Sequence, residues 1–196
     1  MHRLLFTGLD AAIAGLIMVP VFWLMNKKYI HNHLCSIYYF LFAVYLSAVF
    51  SVVGLPDICY VRFDPHINLD LFAYMFSDAK SSFLNVILFL PMGFFLPFLW
   101  RDVFPLGKTL LFGLTASVFI ELLQIFTFRA TDVNDLITNT FGTLLGWYVF
   151  RLIQKTTASK QPAGNPRDVF YICSFVFLVM FFIHPYAAYF IHLIFF

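Results

Sequence analysis

Glu121, Gln124, Arg129, Asp132, Asp135 and Asn139 fall within nineteen residues of a chain that is otherwise poor in charge. They lie between two strongly apolar runs, in the stretch SVFIELLQIFTFRATDVNDLITNTFGTLLG over residues 117–146. On insertion scales an Asp, Lys or Arg at a helix centre in a bilayer costs about 2.5–3.5 kcal/mol, so a cluster of such groups needs a reason. Residues of this kind bind head groups, carry protons or line a path. Glu121 and Asp135 are the candidates for acid or base chemistry, and Arg129 is either a surface charge or the partner that makes a buried Glu121 tolerable. No nucleophile accompanies them. The chain has no H-E-x-x-H, G-x-S-x-G, phosphate-loop or Cys/His zinc pattern, so neither a metal nor a cofactor is expected and catalysis is left open.

Helical spacing organises these residues. Gly113, Ser117, Glu121 and Gln124 recur at i, i+4, i+8 and i+11, and Asp135, Asn139, Gly142 and Gly146 at i, i+4, i+7 and i+11, so each set occupies one helix face. Small residues let membrane helices approach closely, and the two stripes predict that the fourth and fifth helices pack along them. Their polar ends then face each other across a pocket. The third helix adds Asn85, Phe89 and Gly93 at the same spacing, with Pro91 to bend its outer half around that pocket. The expected ligand-binding set is Asn85, Glu121, Gln124, Arg129, Asp132, Asp135 and Asn139, and the packing set is Gly93, Gly113, Ser117, Gly142 and Gly146. Asp132 and Asp135 also fit the N-cap and N3 positions of the fifth helix, so a role for Asp132 as a cap alone stays open.

The elements that position these residues follow from composition. Of 196 residues 62% are hydrophobic and 11% charged, with a mean hydropathy of +0.87, which is the composition of an all-α integral membrane protein and leaves little chain for a soluble domain. Apolar windows at about 4–25, 34–55, 83–100, 106–127, 135–151 and 169–191 predict about six transmembrane helices in a single membrane domain over residues 1–196. Asp10 and the lack of a small-residue cleavage pattern mark the first run as a retained span. Lys and Arg concentrate in residues 26–33, 101–108 and 151–168, which the positive-inside rule puts in the cytoplasm with both termini outside. Glu121 is then expected roughly 8–9 Å below the outer end of its span, with Asn85 opening the third. His184 reads as an interfacial histidine beside Pro185, where the last helix kinks or stops. The 55–82 segment is too interrupted to span; a lid, an interfacial helix and a re-entrant piece all fit it. The net charge of +2 does not suggest nucleic acid, and Cys35, Cys59 and Cys173 show no metal-ligand spacing.

The runs LNVILFLPMGFFLPFLW and IELLQIFTFRATDVNDLITNTFGTLLGW resemble the VanZ-like membrane protein family. The shared pattern is Asn85 before Pro91 and Gly93, then Glu121 and Gln124, then Arg129, Asp132, Asp135 and Asn139 ahead of Gly142 and Gly146. The resemblance covers about residues 37–153 as a four-helix core, with 1–36 and 154–196 as added flanking spans and linker. In HINLDLF it reaches an Asn-Leu-Ile-Pro-Phe segment of the family, with Asp70 in place of the proline. It implies a bacterial cytoplasmic-membrane protein of a family named for glycopeptide, notably teicoplanin, resistance.

Together these readings give an outer-leaflet polar pocket that binds an amphiphile, either a lipid-bearing glycopeptide antibiotic or a lipid-linked cell-wall intermediate. The competing readings are a membrane-embedded enzyme using Glu121 or Asp135 as acid or base, and a transporter or flippase. The last ranks lowest, because the inner halves of the fourth and fifth helices offer little beyond Thr109, Ser117 and Thr143. A structural role in organising wall-synthesis proteins stays open, as does the oligomeric state.

Overall fold

The computed structural model describes residues 2–63, 65, 67–68, 70, 79–127, 131–157 and 164–195. It is 81% helical, and the protein is an all-α membrane protein. The chain divides into two compact units, Met1–Val61 with Asn165–Phe196, and Arg62–Gly164.

In the first unit α1 (His2–Met25) ends in a π-helical turn, Asn26–Ile30, and His31 takes a left-handed conformation with φ 51° before α2 (His33–Val53) begins. The Asn32 side chain caps α2 by accepting the Cys35 N–H at 3.2 Å. Gly54, with φ 63°, closes α2, a position where a side chain would be strained. α1 packs along α2, and α2 packs on α6 (Asp168–Leu178), so α2, grouped with the core by resemblance, associates with the flanking spans. The Tyr39 hydroxyl donates to Asp168 Oδ2 at 2.7 Å across that contact.

After α6 comes a second π-helical turn, Val179–Ile183, and then α7 (His184–Phe195). Pro185 has no N–H to give the carbonyl four residues back. That carbonyl, of Phe181, instead accepts the Ile58 N–H at 3.1 Å. His184, read from the sequence as an interfacial histidine, is buried within the protein, and its Nε2 lies 3.5 Å from Asp10 Oδ1 of α1.

The second unit holds α3 (Ala79–Leu99), α4 (Leu106–Gln124) and α5 (Val133–Thr157), with α5 packed against both of the others. Two-residue strands β1 (Ile67–Asn68) and β2 (Thr131–Asp132) pair in parallel next to the start of α5. Val86 and Leu90 of α3 lie against Gly142 and Gly146 respectively, so α3 and α5 run the same way. Gly113 lies against Thr143, and Ser117 bonds Asn139, so α4 runs the opposite way. Phe89, Leu96, Leu99 and Trp100 anchor the core of this unit at no more than 1% exposure, with Thr109 and Thr143 fully buried beside them.

Among the described residues, five helical stretches are long and apolar enough to cross a membrane: Gly8–Ile30, His33–Val53, Ala79–Leu99, Leu106–Gln124 and Asp168–Ile191. The sixth expected span is α5. At 25 residues it is about 37 Å long, but Asn134, Asp135, Thr138, Asn139 and Thr143 lower its hydropathy below that of the other five. Its threonine hydroxyls are satisfied within the helix: Thr138 donates to the Asn134 and Asp135 carbonyls, Thr140 to Leu136, and Thr143 to Asn139.

Candidate functional site

The polar residues gather where α4 ends and α5 begins. α4 stops at Gln124, earlier than the apolar window suggests, because Thr127 turns back: its N–H and its hydroxyl both reach the Gln124 carbonyl, at 2.9 Å each. Glu121 is therefore in the last turn of its helix, about 4–5 Å from the end and not 8–9 Å deep. It is nonetheless buried, at 6% exposure.

Glu121 Oε2 accepts the backbone N–H of Asp132 at 2.9 Å, and the Thr131 hydroxyl donates to the Glu121 carbonyl at 3.1 Å. The end of α4 thus holds the start of α5. Asp132 is the N-cap: its Oδ1 accepts the Asn134 N–H at 2.9 Å and the Asn134 side-chain amide at 2.8 Å. A helix leaves its first N–H groups without intrahelical partners, and carboxylates are well suited to accept them. Asp135 is half-buried at N3, and it and Asp132 are both close enough to Glu121 for the charges to act on one another.

A second strand of the network comes from the segment before α3. Asn68 donates to Asp132 Oδ2 at 3.1 Å, and Asn134 Nδ2 donates to the Asp70 carbonyl at 3.0 Å. The Asn68 side chain also accepts the Asp70 N–H at 3.1 Å, which shapes this short segment to meet α5. Asn68 and Asn134 were not among the residues singled out in the sequence. Asn134 looks like an ordinary first-turn residue, and only its fit between Asp132 and the Asp70 carbonyl reveals its part. Residues 64, 66, 69 and 71–78 of the 55–82 segment lie outside the described residues.

One turn below Glu121, Ser117 Oγ accepts from Asn139 Nδ2 at 2.8 Å, joining α4 to α5 inside the seam. Asn139 is 4% exposed, and its Oδ1 has no hydrogen-bond partner among the described residues. Gln124 is buried at the end of the same α4 face. Asn85 is half-buried two turns into α3, which begins at Ala79, and it immediately precedes Val86. Arg129 falls outside the described residues, so its expected pairing with Glu121 does too.

The glycine stripes serve different neighbours from those the spacing suggests. Gly113 meets the Thr143 side chain between α4 and α5, but a Cβ at Gly142 would collide with the Val86 carbonyl and one at Gly146 with the Leu90 carbonyl, both on α3. Gly93 closes the same contact from the other side, against the Thr143 carbonyl. The reason is rotation about α5: residues 142 and 146 are offset by about 60° from 139 and 143, so one broad stripe presents its small residues to α3 and its polar residues to α4.

Alongside the cluster, Leu110 and Leu114 of α4 with Leu136, Ile137, Thr140, Phe141 and Leu144 of α5 line an open groove of about 420 Å³. Its walls are almost wholly apolar, and it starts at Leu136, directly after Asp135. The α4–α5 pair therefore carries a polar, charged cluster near the start of α5 and, lined by other residues, an apolar trough running about 12 Å along α5.

The sequence model of the VanZ/LLP1 family matches residues 34–154. The chain is also similar to Protein VanZ of Enterococcus faecium, 38% identical over 78 residues, which is 39% of this chain and 48% of that protein. The chain thus spans about half the length of this curated relative. No solved structure matches the chain significantly. With the family pattern extending over most of the chain, from α2 through α5, this protein belongs to the VanZ/LLP1 family.

Proposed function

We propose that this VanZ-family protein binds an amphiphile in the outer leaflet of the bacterial cytoplasmic membrane, with the polar cluster at the α4–α5 turn taking its head group and the adjoining groove its hydrocarbon chain. The supporting observation is that one helix pair carries both features: Glu121, Asp132 and Asp135 gather where α4 ends and α5 begins, and the apolar groove runs along the same two helices from Leu136, the residue after Asp135 in the chain. A lipid-bearing glycopeptide and a lipid-linked wall intermediate both have this bipartite shape, and the first would connect binding to teicoplanin-type resistance. The distribution of Lys and Arg supports an outward-facing cluster.

The test uses the full chain in lipid nanodiscs with a photoreactive lipoglycopeptide and its deacylated counterpart. Crosslinks to α4 and α5 from the acylated probe alone, lost on Glu121→Gln with membrane insertion unchanged, are the expected result. Equal labelling by both probes, or labelling indifferent to the Glu121 substitution, refutes the reading.

A further inference from the structure

The cluster is rich in acceptors, and that constrains what it holds. Glu121, Asp132 and Asp135 bring three carboxylates to the start of α5. Bare N–H groups at a helix start are the usual seat for a phosphate. Here two of them are already occupied, that of Asp132 by Glu121 Oε2 and that of Asn134 by Asp132 Oδ1. A phosphate head group would have to displace these carboxylates and sit beside their charge, which is unfavourable.

A second, independent observation points the same way. Asn139 spends its amide nitrogen on Ser117, one turn below Glu121 on the α4 face, and leaves Oδ1 buried with no partner among the described residues. A buried acceptor without a donor costs about 1–3 kcal/mol, so the seam is built to receive one more N–H or O–H group. From these two observations we infer that the head group bound at this site is a hydrogen-bond donor, an amine or a hydroxyl-bearing sugar, and not a phosphate, with the Asn139 oxygen and the Glu121 carboxylate as its acceptors. The inference rests on the proposed amphiphile binding and sharpens it to a ligand chemistry. A charge-assisted hydrogen bond is strong enough to make the preference measurable.

The experiment compares three probes carrying the same dodecyl chain, an alkylamine, an alkyl glucoside and an alkyl phosphate, on the full chain in zwitterionic nanodiscs. The amine and the glucoside are expected to bind about tenfold or more tightly than the phosphate. Asn139→Leu is expected to erase that preference, and Asn139→Asp, which keeps an acceptor oxygen at the position, to retain it for the amine. Thermal melting of each variant checks that the fold survives, and the wild-type comparison stands without them. If the phosphate binds best, Asn139 presents its nitrogen and the inference fails while amphiphile binding stands. Equal affinities mean that a buried water serves the Asn139 oxygen, which also overturns it. If no probe binds, the amphiphile reading falls and the inference with it.

Discussion

Glu121 Oε2 accepts the backbone N–H of Asp132 at 2.9 Å, so the last turn of one helix caps the first turn of the next. This bond gives Glu121 a structural duty beside any role toward a ligand, and the two are separable by substitution. Glu121→Gln keeps an acceptor at the position and is expected to cost about 1 kcal/mol or less in stability, whereas Glu121→Ala takes its side-chain acceptor from the part-buried Asp132 N–H and is expected to cost about 1–3 kcal/mol. Denaturation in detergent, followed by circular dichroism, measures the difference. Equal losses for the two variants would mean that the bond carries no weight in the fold.

The close contact between α3 and α5 predicts a sharp contrast among glycines. Gly93→Ala, Gly142→Ala and Gly146→Ala each drive a methyl group into the opposing backbone and are expected to destabilise the protein by about 1–3 kcal/mol or more. Gly8→Ala meets nothing within 4 Å and replaces a helical glycine, so it is expected to be neutral or to stabilise by up to about 1 kcal/mol. The same melting assay ranks all four.

Asn68 and Asn134 tie the segment before α3 to the start of α5. Asn134→Ala removes the bond to the Asp70 carbonyl together with the side-chain bond to Asp132, and is expected to speed hydrogen exchange at Asn68 and Asp70 with little change in the middle of α3. An overall loss of protection throughout the unit would instead make Asn134 a residue of the core.

In the other unit, Asp10 and His184 approach to 3.5 Å within spanning segments. Ionisable residues at such depth need one another, and a double-mutant cycle with Asp10→Ala and His184→Ala is expected to show a coupling of about 0.5–3 kcal/mol. Additive losses would show that the two side chains are neighbours without being partners.

The sequence by itself determined the class of protein and the stretch in which its polar residues gather. An apolar window near 20 residues has only one economical solution in a bilayer, a helix that satisfies its own backbone, so the spans are legible from composition. Periodicity also carried Ser117, Glu121 and Asn139 onto facing sides of α4 and α5, because residues at i and i+4 lie above one another on any helix. Local spacing does not fix which neighbour each face meets. That depends on the rotation of α5 between two partners, and only the tertiary structure turned Gly142 and Gly146 toward α3 and left Asn139 and Thr143 for α4. Nor does hydropathy register the turn at Thr127 that ends α4 early, the approach of Asn68 and Asp70 from a segment more than 60 residues away in sequence, or the burial of His184 against Asp10. Each of these depends on hydrogen bonds or contacts between particular atoms, which an average over apolar windows does not resolve.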